Sequence, residues 1–113
     1  MNRQKKIPGR KGPERIIQDA LLKFLRGREW MVKETHGNMY QSGFPDLYCH
    51  HRRYGQRWIE VKNSKSYKFT PAQMEWFPIF SASNCGIWIL TDATEQEYKK
   101  LWSPPNWHTY LKI

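Results

Sequence analysis

Gly43-Phe44-Pro45-Asp46-Leu47 and, after a short turn, Trp58-Ile59-Glu60-Val61-Lys62 decide the fold of this chain and its chemistry together. The first places Pro-Asp at the head of a strand. The second places Glu-x-Lys in the next strand, which can pair with it. A strand projects successive side chains to opposite faces, so Glu60 and Lys62 share a side and Val61 turns into the core. If the two strands form a hairpin, Asp46 comes beside Glu60, and two carboxylates and one ammonium share a few ångströms. That cluster suits holding a divalent cation against a phosphodiester, and it suits little else. Two ionised carboxylates about 4 Å apart repel by roughly 4 kcal/mol at an effective dielectric near 20. A small domain with a net stability of about 5–15 kcal/mol keeps such a cost only against a compensating charge. Lys62 supplies part of it, and Mg²⁺, which prefers carboxylate, carbonyl and water oxygens, would supply more.

At 113 residues the chain is long enough for one core and too short for two. A hydrophobic fraction of 39% with 15% aromatics indicates a folded domain. A net charge of +9 favours a polyanionic partner, with nucleic acid the default. No apolar run approaches the roughly 20 residues that span a bilayer, so no membrane partner is expected. The basic N-terminus has no apolar segment behind it, unlike a signal peptide. Cys49 and Cys85 read as reduced thiols of an intracellular, cytoplasmic protein.

Residues 1–12 form a basic arm with Arg3, Lys5, Lys6, Arg10 and Lys11 and no acid, expected to be flexible. It is either a solvated tail or a phosphate-gripping extension. The domain proper is expected over 13–113. A first helix starts at Pro13, stops at Gly27 and buries Ile16, Ile17, Ala20, Leu21, Phe24 and Leu25. Glu14 and Gln18 lie one turn apart near its start; a carboxylate there either serves the site or simply complements the helix dipole. Strands follow at Trp30–Thr35, Leu47–His51 and Arg57–Lys62, the last two joined by a turn at Tyr54-Gly55-Gln56. After a basic loop with Lys65, Tyr67 and Lys68, Thr70 caps a second helix with Pro71 at its first position. Met74, Phe77, Ile79 and Phe80 are its expected core contacts, and Pro78 should bend or shorten it. Gly86–Leu90 reads as a buried strand. Thr94 caps a third helix through Leu101, with Glu97 as its capping-box partner. Residues 104–113, with Trp107, Tyr110 and Leu111, make at most a short final element. The order helix, three strands, helix, strand, helix predicts an α/β mixed sheet flanked by helices, with the site where strands two and three meet helix one.

Cys49-His50-His51 does not converge on one ion, because Cys49 and His51 share a face and His50 takes the other; a buried thiol and two exposed histidines are expected instead of zinc. Trp58 and Trp88 fall in apolar strands and read as core. Trp76, Trp102 and Trp107 are core or interface, and an aromatic-rich apolar surface is a reasonable homodimer contact. Tyr67, between Lys65 and Lys68, is either a DNA contact or part of a solvated loop.

Pro45-Asp46 followed by Glu60-Val61-Lys62 resembles the PD-(D/E)xK nuclease superfamily. More narrowly, the chain resembles a stand-alone VRR-Nuc domain of the phage and bacterial kind. Glu14 and Gln18, His36-Gly37 ahead of Ser42-Gly43-Phe44-Pro45-Asp46-Leu47, and Thr70-Pro71-Ala72-Gln73 carry this narrower likeness over roughly residues 13–92. The resemblance implies a restriction-endonuclease-like core of order αβββαβα. It implies that Asp46, Glu60 and the main-chain carbonyl of Val61 bind Mg²⁺, with Mn²⁺ able to substitute and one or two ions per site. Glu14 would complete the site. Lys62 would orient the attacking water or stabilise phosphoryl charge. Gln18 and Gln73 would support the site or touch substrate, and Lys11, Lys33, Lys65, Tyr67 and Lys68 are the expected DNA contacts. By the same resemblance the activity would be endonucleolytic, leaving 5′-phosphate and 3′-hydroxyl, on branched DNA such as a four-way junction and by a homodimer. Flap or duplex cleavage is the alternative within that class. Outside it stands a non-catalytic DNA-binding module, which has no need of clustered acids facing phosphates.

Overall fold

The computed structural model describes residues 12–35 and 43–111. Lys11 with the rest of the basic arm, and the His36-Gly37 and Ser42 positions, lie outside them. Helix α1 spans Pro13–Arg26 with Pro at its first position and Gly27 as C-cap, as its sequence predicts. Its buried stripe is Gln18, Leu21, Leu22 and Leu25, with Ile17 packed alongside. The expected stripe was out of phase in part: Ile16 is 56% exposed and Ala20 is exposed too. At about 100° per residue, positions 16 and 20 share a side that faces solvent once 18, 21 and 25 face the sheet.

Four strands follow: β1 (Met31–Glu34), β2 (Leu47–His51), β3 (Gly55–Val61) and β4 (Ile87–Leu90). They form one sheet in the order β1-β2-β3-β4. The first two pairings are antiparallel, with Leu47 opposite Ile59 and His51 opposite Gly55; β3 and β4 run parallel, with Glu60 opposite Ile89. The hairpin ladder therefore continues up to Gly55, and β3 starts earlier than expected. Between β3 and β4 lies α2 (Pro71–Ala82), capped by Thr70 in a reciprocal capping box with Gln73. Pro78 neither ends nor shortens α2, which continues to Ala82. Phe77, fully buried, and Phe80, partly buried, anchor the helix on either side of the proline. Met74 and Ile79 are 45% and 47% exposed, so the core contact expected of them is absent. Neither shares the side of Phe77 that meets the sheet.

A short α3 (Glu95–Tyr98) passes into a 3₁₀ turn at Lys99–Trp102, and a last 3₁₀ turn covers Trp107–Tyr110. Thr94 caps α3, but Glu97 does not close the expected capping box: its Oε1 accepts from Thr91 N at 2.9 Å and from Lys100 Nζ at 2.8 Å. The sheet carries two cores. One holds Leu21, Leu25, Trp30, Leu47, Ile59 and Val61; the other holds Phe77, Ile87, Ile89 and Trp107, with Trp58 and Phe80 against it. Beside β4 lies Asn106. Its Oδ1 accepts from Ile89 N at 2.6 Å and its Nδ2 donates to Ile89 O at 3.3 Å, so one side chain pairs with the strand edge as backbone would.

Candidate active site

The Pro45-Asp46 segment is placed by three contacts. Gly43 takes φ +90°, and a Cβ there would meet the Trp76 ring at 2.6 Å and the Ala72 carbonyl at 2.9 Å; only glycine lets the segment lie this close to α2. Thr35, just past β1, donates its hydroxyl to the Pro45 carbonyl and its N–H to the Asp46 carbonyl at 2.9 Å. Asp46 and Glu60 then hold each other: Glu60 Oε1 accepts from Asp46 N at 3.1 Å, and Asp46 Oδ2 accepts from Val61 N at 2.8 Å.

Glu60 and Lys62 sit on the α2 side of β3, 2% and 3% exposed. Glu60 Oε2 accepts from Lys62 Nζ at 3.1 Å and from Gln73 Nε2 at 2.7 Å. Lys62 Nζ also donates to Gln73 Oε1 at 3.1 Å and to the Lys68 carbonyl at 2.7 Å, so its three protons have three acceptors. The Phe69 ring lies 4.7 Å from the same ammonium. Gln73 is held in turn by the cap of α2, where its Oε1 accepts from Thr70 N at 3.0 Å. Burial and the neighbouring Asp46 push the Glu60 carboxyl up to about 8, against the opposing pull of Lys62 and Gln73.

Glu14, in the first turn of α1, accepts from Asn63 N at 3.0 Å just beyond β3. The first turns of α1 and α2 thus both arrive at the same end of β3, and the site lies between two helices, not against α1 alone as the sequence suggests. Asp46, Glu60, Lys62 and Gln73 form one connected network, and Glu14 stands beside it at Asn63. Among the described residues no three His, Cys, Asp or Glu side chains are gathered as a ready cation cage. Gln18 is buried but turned elsewhere, donating to Glu34 Oε1 at 2.9 Å. Lys33, Lys65 and Lys68 are exposed, whereas Tyr67 is half-buried against Phe69 and Tyr110. His51 is buried, not exposed as expected: its ring packs 4.6 Å from Tyr54 and its Nδ1 accepts from Arg53 N at 3.0 Å. Thr35 and Glu34 escaped the sequence reading, since their contacts exist only once β1 pairs with β2.

Among solved structures the chain is similar to one described as a VRR_NUC domain, with a TM-score of 0.66 and 19% identity over 82% of this chain and 98% of that one. No family model and no curated protein matches the sequence. The fold is therefore that of a VRR-Nuc domain, in agreement with the mixed sheet and helix order read from the sequence.

Proposed function

We propose that the chain is a metal-dependent DNA endonuclease, and that the observation carrying this reading is the interlocked Asp46–Glu60 pair with a buried Lys62 beside it. The donor set suits Mg²⁺: the candidate ligands are all oxygens, and beside Glu60, whose carboxyl is pushed up mainly by burial, Asp46 adds negative charge that a cation would relieve. Asp46 and Glu60, with the main-chain carbonyl of Val61 and with Glu14, would hold it; when bound, Mg²⁺ or Mn²⁺ supplies charge relief on phosphoryl oxygens and a more acidic bound water. The chain's own part is placement. Gln73 fixes Glu60 and Lys62 at hydrogen-bond distance, and Thr35 fixes the backbone of Asp46. Lys62 brings a fixed positive charge to the phosphate being cleaved, which lowers the cost of charge developing there. Products would carry 5′-phosphate and 3′-hydroxyl.

The substrate we propose is branched DNA, a four-way junction above all, cut by a homodimer whose two sites face opposing strands. The exposed Trp76 and Ile79 of α2, with Phe44 against the Trp76 ring, supply an apolar surface for a second copy. Cleavage of end-labelled junction, flap, duplex and single-stranded DNA with Mg²⁺ tests the reading. Asp46→Asn and Lys62→Ala are expected to lose activity at least a hundredfold while circular dichroism stays unchanged. Wild-type cleavage by either purified variant would overturn the site, and a monomer at micromolar concentration would overturn junction resolution.

A further inference from the structure

The end of the sheet remote from Glu60 carries a second concentration of chemistry. No Asp or Glu occurs between Asp46 and Glu60, and the hairpin tip presents His50, Arg52, Arg53 and Tyr54, all exposed. Among the described residues neither Arg52 nor Arg53 has an acidic partner. Tyr54 and Trp102 are each 44% exposed, with ring centroids 4.5 Å apart. Behind them stand Trp30, 6.4 Å from Tyr54 and stacked on it, and Tyr98, 5.6 Å from Trp102.

This arrangement is braced from beneath. Arg57 donates Nε to the Leu101 carbonyl at 2.9 Å and Nη1 to the Tyr54 carbonyl at 3.2 Å, and its guanidinium lies 5.6 Å from the Trp102 ring. One side chain therefore ties the hairpin to the turn that bears Trp102. A cavity of about 370 Å³ opens beside Tyr54, lined by Arg28, Glu29, His51, Arg53 and Tyr98 among others. Arg28 is paired with Glu95, and Glu29 is the acid on the rim, so Arg52 and Arg53 leave the patch positive.

We propose that this end is a second nucleic-acid contact that takes an unpaired stretch of DNA. A base stacks on the exposed Tyr54–Trp102 pair while Arg52 and Arg53 hold flanking phosphates. Exposed rings held rigid beside unpaired guanidiniums are what single-strand binding requires, since every base offers a stacking face and every linkage a charge. Duplex DNA keeps its bases stacked and offers only the phosphates. From Tyr54 to Glu60 the strand spans roughly 20 Å at about 3.3 Å per residue. Arg57 and His51 share the Ile59 and Val61 face of the sheet, opposite Glu60, so the hairpin contact is separate from the carboxylates, and the pair of contacts suits a substrate with a frayed or branched arm. The identity of the ligand as DNA rests on the nuclease reading above.

The test uses the full chain in EDTA, so that binding is read without cleavage, with a fluorescein-labelled oligothymidylate and a blunt duplex as probes. Changing Arg52 and Arg53 together to Ala is expected to weaken oligothymidylate binding about tenfold. It should also lower the slope of log affinity against log salt by about 1.4, at roughly 0.7 per phosphate on single strands. Tyr54→Ala should weaken binding at least fivefold, and Tyr54→Phe should restore it. Oligothymidylate should quench tryptophan emission in the wild type and quench it less in Trp102→Phe. Thermal midpoints within a few degrees of wild type would exclude misfolding of these exposed positions. Wild-type affinity and salt slope in the arginine variant would overturn the proposal, as would equal losses for duplex and single strand. If the nuclease reading alone is wrong, the hairpin variants still lose oligothymidylate while the wild type cleaves nothing with Mg²⁺ or Mn²⁺.

Discussion

Glu60 is a carboxyl with three donors around it in a place that favours its neutral form. It is 2% exposed, accepts from Lys62, Gln73 and Asp46 N, and yet burial and Asp46 raise its proton affinity, to about 8 against 4.5 for an ordinary carboxyl. Between those values the folded protein binds more protons than the unfolded chain, so this group's stabilising contribution is full below about pH 4.5 and falls as pH rises toward 8. In EDTA the thermal midpoint should therefore decline from pH 5 to pH 8 in the wild type more steeply than in Glu60→Gln, where nothing titrates at that position. Mg²⁺ should lift the wild-type midpoint most at the alkaline end, because it binds the ionised form. A wild-type profile parallel to that of Glu60→Gln would sink this account. Asp46, Glu60 and Lys62 were legible in the sequence because strand alternation and a two-strand hairpin suffice to bring them together. Thr35 was not: its clamp on Pro45 depends on β1 pairing with β2, a register that no local pattern prints.

At the scale of the element, α2 carries the site as much as β3 does. Thr70 closes a capping box that fixes Gln73, and Gln73 in turn holds both Glu60 and Lys62. Thr70→Ala should cost about 1 kcal/mol in urea unfolding, the usual worth of an N-cap. It should also lower kcat more than it raises KM for junction DNA, since the damage falls on orientation and not on affinity. Full activity in a measurably destabilised Thr70→Ala protein would show that Gln73 needs no cap. The start of this helix and both ends of α1 were legible, because Thr, Pro and Gly mark them chemically. Which side of each helix meets the sheet was less so. Ile16, Met74 and Ile79 are apolar yet exposed, while the polar Gln18 and Gln73 are buried. Hydropathy ranks residues by type, and here partners at the site and on β1 draw amides inward.

For the molecule as a whole, the sheet between two cores leaves its two thiols in unlike states. Cys49 is fully buried on β2, and burial pushes its thiol up to about 12; Cys85 is only half-buried, just ahead of β4. In a Cys85→Ser chain at pH 8, an aromatic disulfide should label Cys49 only at the rate of global unfolding. Labelling that outpaces denaturant-extrapolated unfolding by a hundredfold would show that β2 opens on its own. The overall architecture was readable because one sheet with a hairpin, a crossover helix and a buried Ile-Trp-Ile-Leu strand admits few arrangements. The hairpin's braced aromatic end was not, since Arg57, Tyr54 and Trp102 meet only through the fold.

Asn106 guards the free edge of β4. An apolar strand with an open edge invites another strand to zip onto it, and unchecked pairing of that kind leads to fibres. By spending both halves of its amide on Ile89, Asn106 closes that route at the cost of one residue. Strand addition onto β4 is thereby opposed at Ile89, and any contact between copies at this edge would have to be made through side chains instead.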